Sequence, residues 1–386
     1  MPGKTFMSKL LFAFAPLLLC VAFVGKASAQ REPPFDALEG LDPVMLVQGK
    51  EEQGELKITV TRGQFRYYFA NAANKATFEQ DPARYEIQGN GECARMGAPV
   101  YGSPDLYSVY QGRIYIFGSG ECKKRFDAAP EKYLRPKNEA AVKAALTPEA
   151  LKQGQAIIEK AVAAVGGASR LDGLSSYEEK SVGLQARRQG DVEIKYSLTQ
   201  VFPDRIRMER AMPDFNDSSM TRRMALVVTP KESFIIAPNG AQSVNEAARL
   251  DQEREIRRRP LSILRARKSA DFKPAAIGGG KVGEVTVEQV AIALDGTDYT
   301  LGFDPATGRL LSLACERRGP EGIFGQFVQV FSDFRTVDGL TLPFKVSATF
   351  NGQLWKEQSS TVEAINLNGK VDPALFEKPQ PNKSQQ

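Results

Sequence analysis

The residues of this chain best suited to chemistry are two cysteines, Cys93 and Cys122. A thiolate sulfur is a nucleophile, a partner in a disulfide bond and a ligand of soft metal ions. Met96 adds a thioether sulfur shortly after Cys93. One interpretation is a disulfide between Cys93 and Cys122. A second is a site for Cu(I) or another soft metal formed by Cys93, Met96 and Cys122, and a third leaves both thiols free.

Histidine is absent from all 386 residues. Its absence removes the commonest general base and the commonest metal ligand. Catalytic Ser-His-Asp and Cys-His arrangements are therefore excluded, as are zinc sites that contain histidine. Three sulfurs without histidine are also one ligand short of a structural zinc site. We expect a protein that is not an enzyme and that needs no cofactor, with a soft metal as the alternative.

Both cysteines lie in the second copy of an internal repeat. The segment from Arg66 to Tyr85 recurs, at one constant offset, as the segment from Ile114 to Tyr133. The matched pairs are Tyr67/Tyr115, Phe69/Phe117, Lys75/Lys123, Phe78/Phe126, Pro82/Pro130 and Tyr85/Tyr133. The same offset places Met45 opposite Cys93 and Asn74 opposite Cys122, so only the second copy contains thiols.

Each copy has the pattern of an aromatic strand followed by a short helix. In the first copy Asn71 or Asn74 is suited to cap that helix, and in the second copy Ser119 is. The shared aromatic residues are expected to pack in the core of each copy.

The N-terminal residues have the pattern of a cleaved secretory signal. Lys4 and Lys9 precede a nearly continuous apolar run over residues 10–23, and the cleavage site is expected near Ala29. The run is too short to be a convincing membrane anchor. Removal of residues 1–29 lowers the formal net charge from +5 to +2, which leaves no general electrostatic basis for binding nucleic acid. We expect export to an oxidising compartment, the bacterial periplasm, where disulfides persist.

From Leu174 onward the pattern is that of β-strands. Segments of roughly ten residues alternate apolar and polar side chains. Turn signals at residues 304–308, 338–339 and 351–352 are among those that separate them. One helix is predicted for residues 148–165 and another interrupts the strands at about residues 242–268. We therefore predict an α+β protein with a large antiparallel sheet, in which consecutive strands are adjacent and two helices cover one face.

A basic segment in this region is a candidate surface for an anionic partner. Its arginines are Arg254, Arg257, Arg258, Arg259, Arg265 and Arg267. Lipid headgroups or an acidic protein surface would suit them, and would give a peripheral contact with the cell envelope. Acidic residues lie among them, so a solvated helix with internal ion pairs is the alternative. Cys315 alternates with apolar residues on its strand and is expected to be a buried core thiol.

The repeat resembles the YHS domain family. The resemblance is carried by Leu41-Asp42-Pro43-Val44, Tyr67-Tyr68-Phe69, Phe78-Glu79-Gln80-Asp81-Pro82 and Tyr85. It implies a tandem, degenerate YHS-like module over residues 41–135.

The resemblance also implies where metal ligands would lie. Metal-binding members carry a cysteine directly after Asp-Pro-Val and a cysteine pair after Tyr-Phe. In the first copy all of these positions lack thiols, since they are Met45, Ala70 and Asn74. The second copy keeps two cysteines and has Gly118 at the middle position.

The β region resembles exported proteins with a LolA-like fold, which are periplasmic carriers of lipoproteins. Residues 334–343 and 371–376 carry this resemblance. It implies a strongly curved antiparallel sheet, a half-barrel whose concave apolar face is closed by helices. A half-barrel filled by its own side chains is the alternative to one that holds a ligand.

These observations divide the chain into a signal peptide (1–29), a tandem YHS-like module (41–135), a linker (136–152) and a LolA-like β domain (153–380). The expected function is that of an exported, non-enzymatic binding protein whose half-barrel carries a hydrophobic ligand, a lipid or a lipidated partner. The alternative is a metal-handling protein in which the β domain serves as a scaffold.

Overall fold

The computed structural model describes residues 34–97, 100–135, 146–187, 190–214, 219–244, 246–294 and 296–379. The predicted signal peptide and most of the predicted linker lie outside these residues. The described residues form two compact units: the first contains those up to residue 135 together with Arg318–Phe324, and the second contains the others. Within the described part, no helix is both long enough and apolar enough to cross a membrane.

The first unit is built from two copies of one motif. Its first copy consists of β1 (Phe35–Asp36), α1 (Pro43–Val47), β2 (Glu55–Arg62), β3 (Phe65–Phe69), α2 (Ala72–Gln80) and α3 (Pro82–Tyr85). Its second copy consists of β4 (Ser103–Tyr110), β5 (Arg113–Phe117), α4 (Gly120–Ala128) and a 3-10 helix, Pro130–Lys132. The bounds of β4, β5 and α4 follow those of β2, β3 and α2 at the constant offset of the sequence repeat. The predicted repeat is therefore present in the backbone.

The two main helices of the first unit begin at equivalent polar caps. Asn71 Oδ1 accepts the N–H of Asn74 at 2.9 Å, and Ser119 Oγ accepts the N–H of Cys122 at 3.2 Å. Such caps satisfy N–H groups that have no partner within the helix. The prediction of Ser119 as a cap is confirmed, and of the two candidates in the first copy Asn71 is the cap.

Aromatic side chains pack in the core of each copy, as predicted. Phe78 and Phe126 are fully buried on the inner faces of α2 and α4. The ring of Phe78 lies 5.2 Å from that of Phe69, and the ring of Phe126 lies 5.0 Å from that of Phe117. These contacts attach each helix to the strand that precedes it.

The described part of the second unit contains four α-helices and one large sheet. The helices are α5 (Pro148–Val165), α6 (Ala168–Asp172), α7 (Glu246–Arg257) and α8 (Pro260–Ala266). The strands before α7 are β6 (Ser176–Arg187), β7 (Gly190–Val201), β8 (Arg205–Pro213), β9 (Thr221–Val228), β10 (Ser233–Ala237) and β11 (Gly240–Ser243). Those after α8 are β12 (Ala275–Val282), β13 (Val285–Leu294), β14 (Thr297–Phe303), β15 (Leu310–Arg318), β16 (Phe324–Val337), β17 (Leu340–Phe350), β18 (Gln353–Leu354) and β19 (Ser360–Leu367).

The sheet has 14 strands, is curved and does not close into a barrel. Its order is β11-β10-β9-β8-β7-β6-β19-β17-β16-β15-β14-β13-β12, and β18 pairs with β17. The two edge strands, β11 and β12, follow each other along the chain with α7 and α8 between them. The predicted α+β class and the large antiparallel sheet are confirmed.

The predicted hairpin turns have the geometry that their residues favour. Asp338 and Gly339 have φ values of 46° and 78°, and Asn351 and Gly352 have 48° and 78°. Two successive residues with positive φ form the type I′ turn, whose twist matches that of the flanking strands.

The predicted helical segment at residues 242–268 is divided in the structure. Residues up to 243 belong to β11, and the helical part breaks at Arg258 and Arg259 before Pro260. Arg259 has an extended backbone, with φ −71° and ψ 142°, because the ring of a following proline disfavours the helical conformation. The break places two adjacent arginines at the corner between α7 and α8.

Two helices of the second unit pack against the sheet. Ile158 and Val162 of α5 and Leu261 and Leu264 of α8 are buried in one core with strand residues such as Phe303. Whether the half-barrel is filled by its own side chains or holds a ligand stays a prediction.

Candidate functional site

A cavity of about 970 Å³ lies in the second unit, between the β7–β11 side of the sheet and helices α7 and α8. Its apolar lining includes Phe202, Ile206, Val228, Ile256 and Leu294. Small-molecule sites typically have volumes of roughly 300–1,000 Å³ and mostly apolar walls. The cavity therefore has the size of a ligand site, with a lining in which apolar and polar residues are mixed.

One hydroxyl group in this cavity has no partner. Ser233, the first residue of β10, lines the cavity and is 5% exposed. Its Oγ makes no hydrogen bond within the part of the chain that the structure describes. An unpaired buried hydroxyl costs about 1–3 kcal/mol, so a polar atom of a ligand, or a water, would be stabilised beside it.

Charged side chains give the polar part of the cavity a small excess of positive charge. The lining includes four basic residues and three acidic ones, namely Lys231, Arg249, Arg257, Arg265, Asp204, Glu232 and Glu253. The Arg265 guanidinium lies 4.0 Å from the centre of the Phe202 ring and donates to the carbonyl oxygen of Leu171. Burial lowers the pKa of Arg265. This lining suits a ligand with an apolar chain and a polar or anionic head.

Most arginines of the predicted anionic-partner surface have partners within the second unit. The pairs are Arg257 with Glu253, Arg258 with Glu255, Arg259 with Glu179, Arg265 with the Leu171 carbonyl and Arg267 with Asp172. The sixth arginine of the set, Arg254, lies on α7 with a partly exposed side chain. An anionic partner would have to compete with these internal contacts, and the docking surface stays a prediction.

Arg259 belongs to a buried polar cluster on the sheet. Its Nη1 lies 2.6 Å from Glu179 Oε2, to which Tyr177 Oη also donates at 2.6 Å, while Ser181 Oγ donates to Oε1 at 3.2 Å. Burial raises the pKa of Glu179, but the charge of Arg259 and these hydrogen bonds outweigh burial, so the pKa lies below its ordinary value. The charged form of Glu179 is therefore stabilised.

Arg258 forms a second buried cluster with Glu255 and Arg317. The Arg258 and Arg317 side chains are 7% and 12% exposed, and both pair with Glu255. The Arg317 guanidinium also lies 4.9 Å from the centre of the Phe327 ring. Burial raises the pKa of Glu255, but the two arginines outweigh burial and lower it. Together the two clusters attach the α7–α8 corner to the sheet.

Sequence reasoning missed both clusters. Arg259 and Glu179 are 80 residues apart, so no local charge pattern could pair them. The one local signal was Pro260, since a proline indicates a helix boundary at the residues before it.

The predicted sulfur residues meet in the first unit. Cys93 is fully buried, Cys122 is 8% exposed, and both belong to one buried cluster with Phe117 and Phe126. Arg95 Nη1 lies 3.7 Å from Cys122 Sγ and 3.2 Å from Met96 Sδ. Both cysteines are free thiols in this structure, so the disulfide stays a prediction.

The two thiols differ in their affinity for a proton. The hydrogen bond from Cys93, together with those from Ser119 and Arg95, outweighs burial and lowers the pKa of Cys122 to about 5. The same Cys93–Cys122 hydrogen bond, together with burial, raises the pKa of Cys93. Cys122 therefore carries the negative charge of the pair and Cys93 carries the proton.

The arrangement around these sulfurs does not fit a metal ion. The Arg95 guanidinium lies against the sulfurs of Met96 and Cys122, where it would repel a bound cation. Gly118 leaves no space for another ligand, because a Cβ there would lie 2.9 Å from a backbone carbonyl oxygen. Across the described ranges, no three His, Cys, Asp or Glu side chains are placed to hold a metal together.

The first copy fills the equivalent place with a carboxylate. Asp42 is fully buried and accepts the N–H of Ala70 at 2.8 Å and the side-chain amide of Asn74 at 2.7 Å. In the second copy Gly118 corresponds to Ala70 and lies beside Cys93, whose Cβ is 3.8 Å from the place that a Cβ on Gly118 would take. The fold of this motif therefore does not require a thiol at this place.

Cys315 lies apart from these sulfurs, in the core of the second unit. It is 6% exposed on β15, and burial is the main cause of its raised pKa. The prediction of a core thiol is confirmed.

Solved structures similar to this chain share little sequence with it. One is described as an outer membrane lipoprotein-sorting protein domain from Vibrio parahaemolyticus, with 8% identity, a TM-score of 0.38 and coverage of 58% of this chain and 97% of its own. A LolA superfamily protein from Nitrosomonas europaea has 12% identity, a TM-score of 0.37 and the same coverage of both chains. A DUF1329 family protein from Desulfovibrio piger has 10% identity, a TM-score of 0.39 and again the same coverage. At these values the similarity carries no functional conclusion for this chain.

Sequence comparison identifies one segment of the first unit. None of the curated proteins matches the chain. The model of the YHS domain matches residues 97–137, a range that includes Gly118 and Cys122 and begins after Cys93. The chain therefore carries, within the second copy of its repeat, a segment that matches the YHS domain family.

Proposed function

We propose that the chain is an exported binding protein that holds the acyl chain of a lipid or lipidated partner in the cavity of its second unit. The observation that supports this proposal is the cavity of about 970 Å³ with its apolar wall between the sheet and α7 and α8. The secretory signal predicted for residues 1–29 would bring the protein to the cell envelope, where such ligands occur. The second unit would act by binding and not by catalysis, in keeping with a chain that has no histidine.

The apolar wall accounts for affinity. Burial of each methylene group contributes about 0.8 kcal/mol, so an acyl chain of about 12 carbons would gain roughly 10 kcal/mol before the costs of association. Those costs are about 4 kcal/mol or more, which leaves enough for a measurable complex.

The polar side of the cavity accounts for orientation. Ser233, whose buried Oγ has no partner among the described residues, lies on this side of the cavity wall. The excess of basic over acidic residues favours a head with negative charge. An acyl chain would therefore lie against the apolar wall with its head towards these polar groups.

A fluorescent fatty acid tests the cavity directly. Ser233→Phe would place a large side chain at the cavity wall and is expected to weaken binding of the probe at least tenfold. Thr286→Phe is the matched control, because it places the same side chain at an exposed position of β13 outside the cavity. Equal affinities of the two variants, both folded by circular dichroism, would contradict the proposal. So would protein purified from its native envelope without any bound lipid detectable by mass spectrometry.

The metal-handling alternative makes a different prediction. If the sulfurs bound Cu(I), reduced protein would retain one equivalent through gel filtration, and the Cys93→Ser variant would lose it. We expect no retained equivalent, because the Arg95 guanidinium lies against two of the three sulfurs.

A further inference from the structure

We infer that Cys93 and Cys122 form a thiol–disulfide exchange site that oxidises dithiols, with Cys122 as the sulfur that reacts with the partner. Cys93 would be the internal sulfur that completes each cycle. This activity belongs to the first unit and goes beyond the lipid binding proposed for the second. It does not depend on the cavity between the sheet and helices α7 and α8.

The position of Cys122 favours a reactive thiolate. It is the third residue of the nine-residue helix α4, and its N–H donates to the capping Ser119 Oγ at 3.2 Å. The positive end of the helix dipole stabilises negative charge in the first turn, and reactive cysteines commonly occupy such positions. Its 8% exposure makes Cys122 the more accessible sulfur of the pair, since Cys93 is fully buried.

Arg95 provides an independent indication of negative charge at this place. Among the described residues its hydrogen bonds go to two sulfurs, those of Cys122 and Met96. Its Nε is buried and has no acceptor, and its guanidinium lies 5.9 Å from the centre of the Tyr133 ring. The Arg95 side chain is partly buried, and the sulfur of Cys122 is within reach of its Nη1.

The other charged groups near Cys122 do not neutralise Arg95. Glu121, which precedes Cys122, pairs with Arg125 at 2.7 Å. Arg125 also lies 3.7 Å from Glu321. These carboxylates make their direct contacts with Arg125, while the charge of Arg95 acts on Glu121 only from a longer distance.

The loop that carries Cys93 and Arg95 is held in place by Arg318, which belongs to the same unit. Arg318 Nη1 donates to the carbonyl oxygens of Ala94 at 3.1 Å, Arg95 at 2.5 Å and Gly322 at 2.9 Å. The loop is also tied to β5 by the bond from the Ala94 N–H to a strand carbonyl. Arg95 and Cys93 are therefore preorganised around Cys122, as a functional constellation requires.

The first copy of the repeat shows that packing alone does not require the thiols. There Met45 and Asn74 occupy the positions of Cys93 and Cys122, and the buried carboxylate of Asp42 supplies the hydrogen-bond acceptor. The two strands and the main helix still have equivalent bounds in both copies, at the constant offset of the repeat. The sulfur pair therefore distinguishes chemically two copies whose strands and main helix are otherwise equivalent.

The exchange proceeds in two steps. With Cys93 and Cys122 joined by a disulfide, a thiolate of a partner dithiol attacks Cys122 Sγ, the Cys93–Cys122 bond breaks, and Cys93 leaves and takes up a proton. The second partner thiol loses its proton and attacks the partner sulfur of the mixed disulfide, and Cys122 leaves as a thiolate. The partner gains a disulfide and loses two electrons, which the cysteine pair accepts. A small-molecule disulfide, such as oxidised glutathione, can restore the pair by the reverse steps.

The surroundings of Cys122 set the direction of this exchange. The helix terminus, the Ser119 cap and Arg95 stabilise the reduced thiolate form and not the disulfide. A dithiol whose reduced form is stabilised has a disulfide that oxidises others readily. The pair is therefore expected to act as an oxidant, and not as an inert structural bond.

Trapping of a mixed disulfide tests which sulfur reacts. All variants carry Cys315→Ser, so that the pair contains the only thiols of the chain without residues 1–29. Cys93→Ser is expected to form one glutathione adduct at Cys122 on incubation with oxidised glutathione, and Cys122→Ser is expected to form none. Equal adduct formation by both variants would overturn the assignment of roles.

A redox titration tests the activity itself. In mixtures of reduced and oxidised glutathione the pair should become half reduced under conditions in which a structural disulfide stays intact. Arg95→Gln should shift this equilibrium towards the disulfide by roughly tenfold, the equivalent of one pKa unit at Cys122. A pair that stays oxidised at all ratios, or an Arg95→Gln protein with an unchanged equilibrium, would overturn the proposal.

A double variant separates loss of activity from loss of fold. Cys93→Met with Cys122→Asn installs the residues of the first copy, and it is expected to keep the wild-type circular dichroism spectrum. It should have no ability to oxidise a model dithiol peptide, whereas wild-type disulfide protein should oxidise one equivalent. Oxidation of the peptide by the double variant would refute the site.

Discussion

Replacement of Arg259 by Met would leave the carboxylate of Glu179 buried without its counter-charge. Glu179 is 6% exposed, and its Oε2 lies 2.6 Å from Arg259 Nη1. Removal of one partner from a buried ion pair costs about 3–5 kcal/mol. The hydroxyl groups of Tyr177 and Ser181 still donate to the carboxylate, and the Arg259 side chain is 35% exposed. We therefore expect the lower end of the range, about 3 kcal/mol.

The loss should depend on pH in a defined direction. In the wild type, Arg259 and the hydrogen bonds outweigh burial and hold the pKa of Glu179 below its ordinary value of 4.5. Such a carboxyl group contributes stability above the unfolded pKa, and the contribution is lost as pH falls through the folded pKa. In Arg259→Met the burial of Glu179 is no longer opposed by that charge, so its pKa rises. The deficit of the variant should be largest at neutral pH and should shrink as pH falls from the raised pKa of Glu179 in the variant to its lowered pKa in the wild type.

The single tryptophan of the chain provides the assay. Trp355 is 4% exposed and lies in the second unit, so its fluorescence during urea or thermal unfolding reports the unit that contains the pair. A loss of about 3 kcal/mol corresponds to a fall in Tm of roughly 6–12 °C. Glu179→Gln should cost less, about 1–2 kcal/mol, because Arg259 can reach water.

An exposed ion pair of the same sheet provides the control. Arg335→Met removes the exposed partner of Asp333 and should leave the unfolding midpoint unchanged. The reasoning fails if Glu179→Gln is as harmful as Arg259→Met, or if the deficit of Arg259→Met is the same at pH 7 and pH 4.

Three further predictions concern packing, capping and thiol chemistry. Gly154→Ala would place a Cβ 2.3 Å from the carbonyl oxygen of Pro274 and should lower the free energy of unfolding in urea by about 1–3 kcal/mol. Gly120→Ala is the control, because no atom lies within 4 Å of its new Cβ, and it should not destabilise the protein. Asp42→Ala would remove a buried acceptor of several hydrogen bonds and should lower the stability of the first unit by about 2–4 kcal/mol, measured by thermal circular dichroism. Alkylation of Cys122 should rise through a midpoint near its pKa of about 5, and a midpoint near the ordinary thiol value of 9.0 would contradict the stabilised thiolate.

The sequence repeat allowed the architecture of the first unit to be predicted because its signals are local. Caps at Asn71 and Ser119, the buried Phe78 and Phe126 and the constant offset between the copies all act within one motif. The turn residues of the large sheet are local signals as well, and they led to the correct antiparallel order for consecutive strands. The pairing of β6 with β19 joins distant parts of the chain, and no local pattern indicated it.

The basic segment illustrates what local patterns cannot show. Its charges suggested a solvated helix or a docking surface, but Arg258 and Arg259 point into clusters with Glu255 and Glu179. Burial of a charge is favourable only with a partner in the right place, and Glu179 lies on a strand 80 residues away. The break before Pro260 was the only feature of the segment that anticipated their position.

The two copies of the first unit show how one frame supports different chemistry. In each copy the end of the second strand and the first turn of the main helix lie beside one buried side chain, Asp42 in the first copy and Cys93 in the second. Asp42 fills that place with a fixed negative charge bound by Asn74, and nothing there can exchange electrons. Cys93 and Cys122 fill it with a charge that forms on one sulfur and can be converted into a bond. The decisive addition is Arg95, because it stabilises the charged sulfur and disfavours a metal cation at the same place.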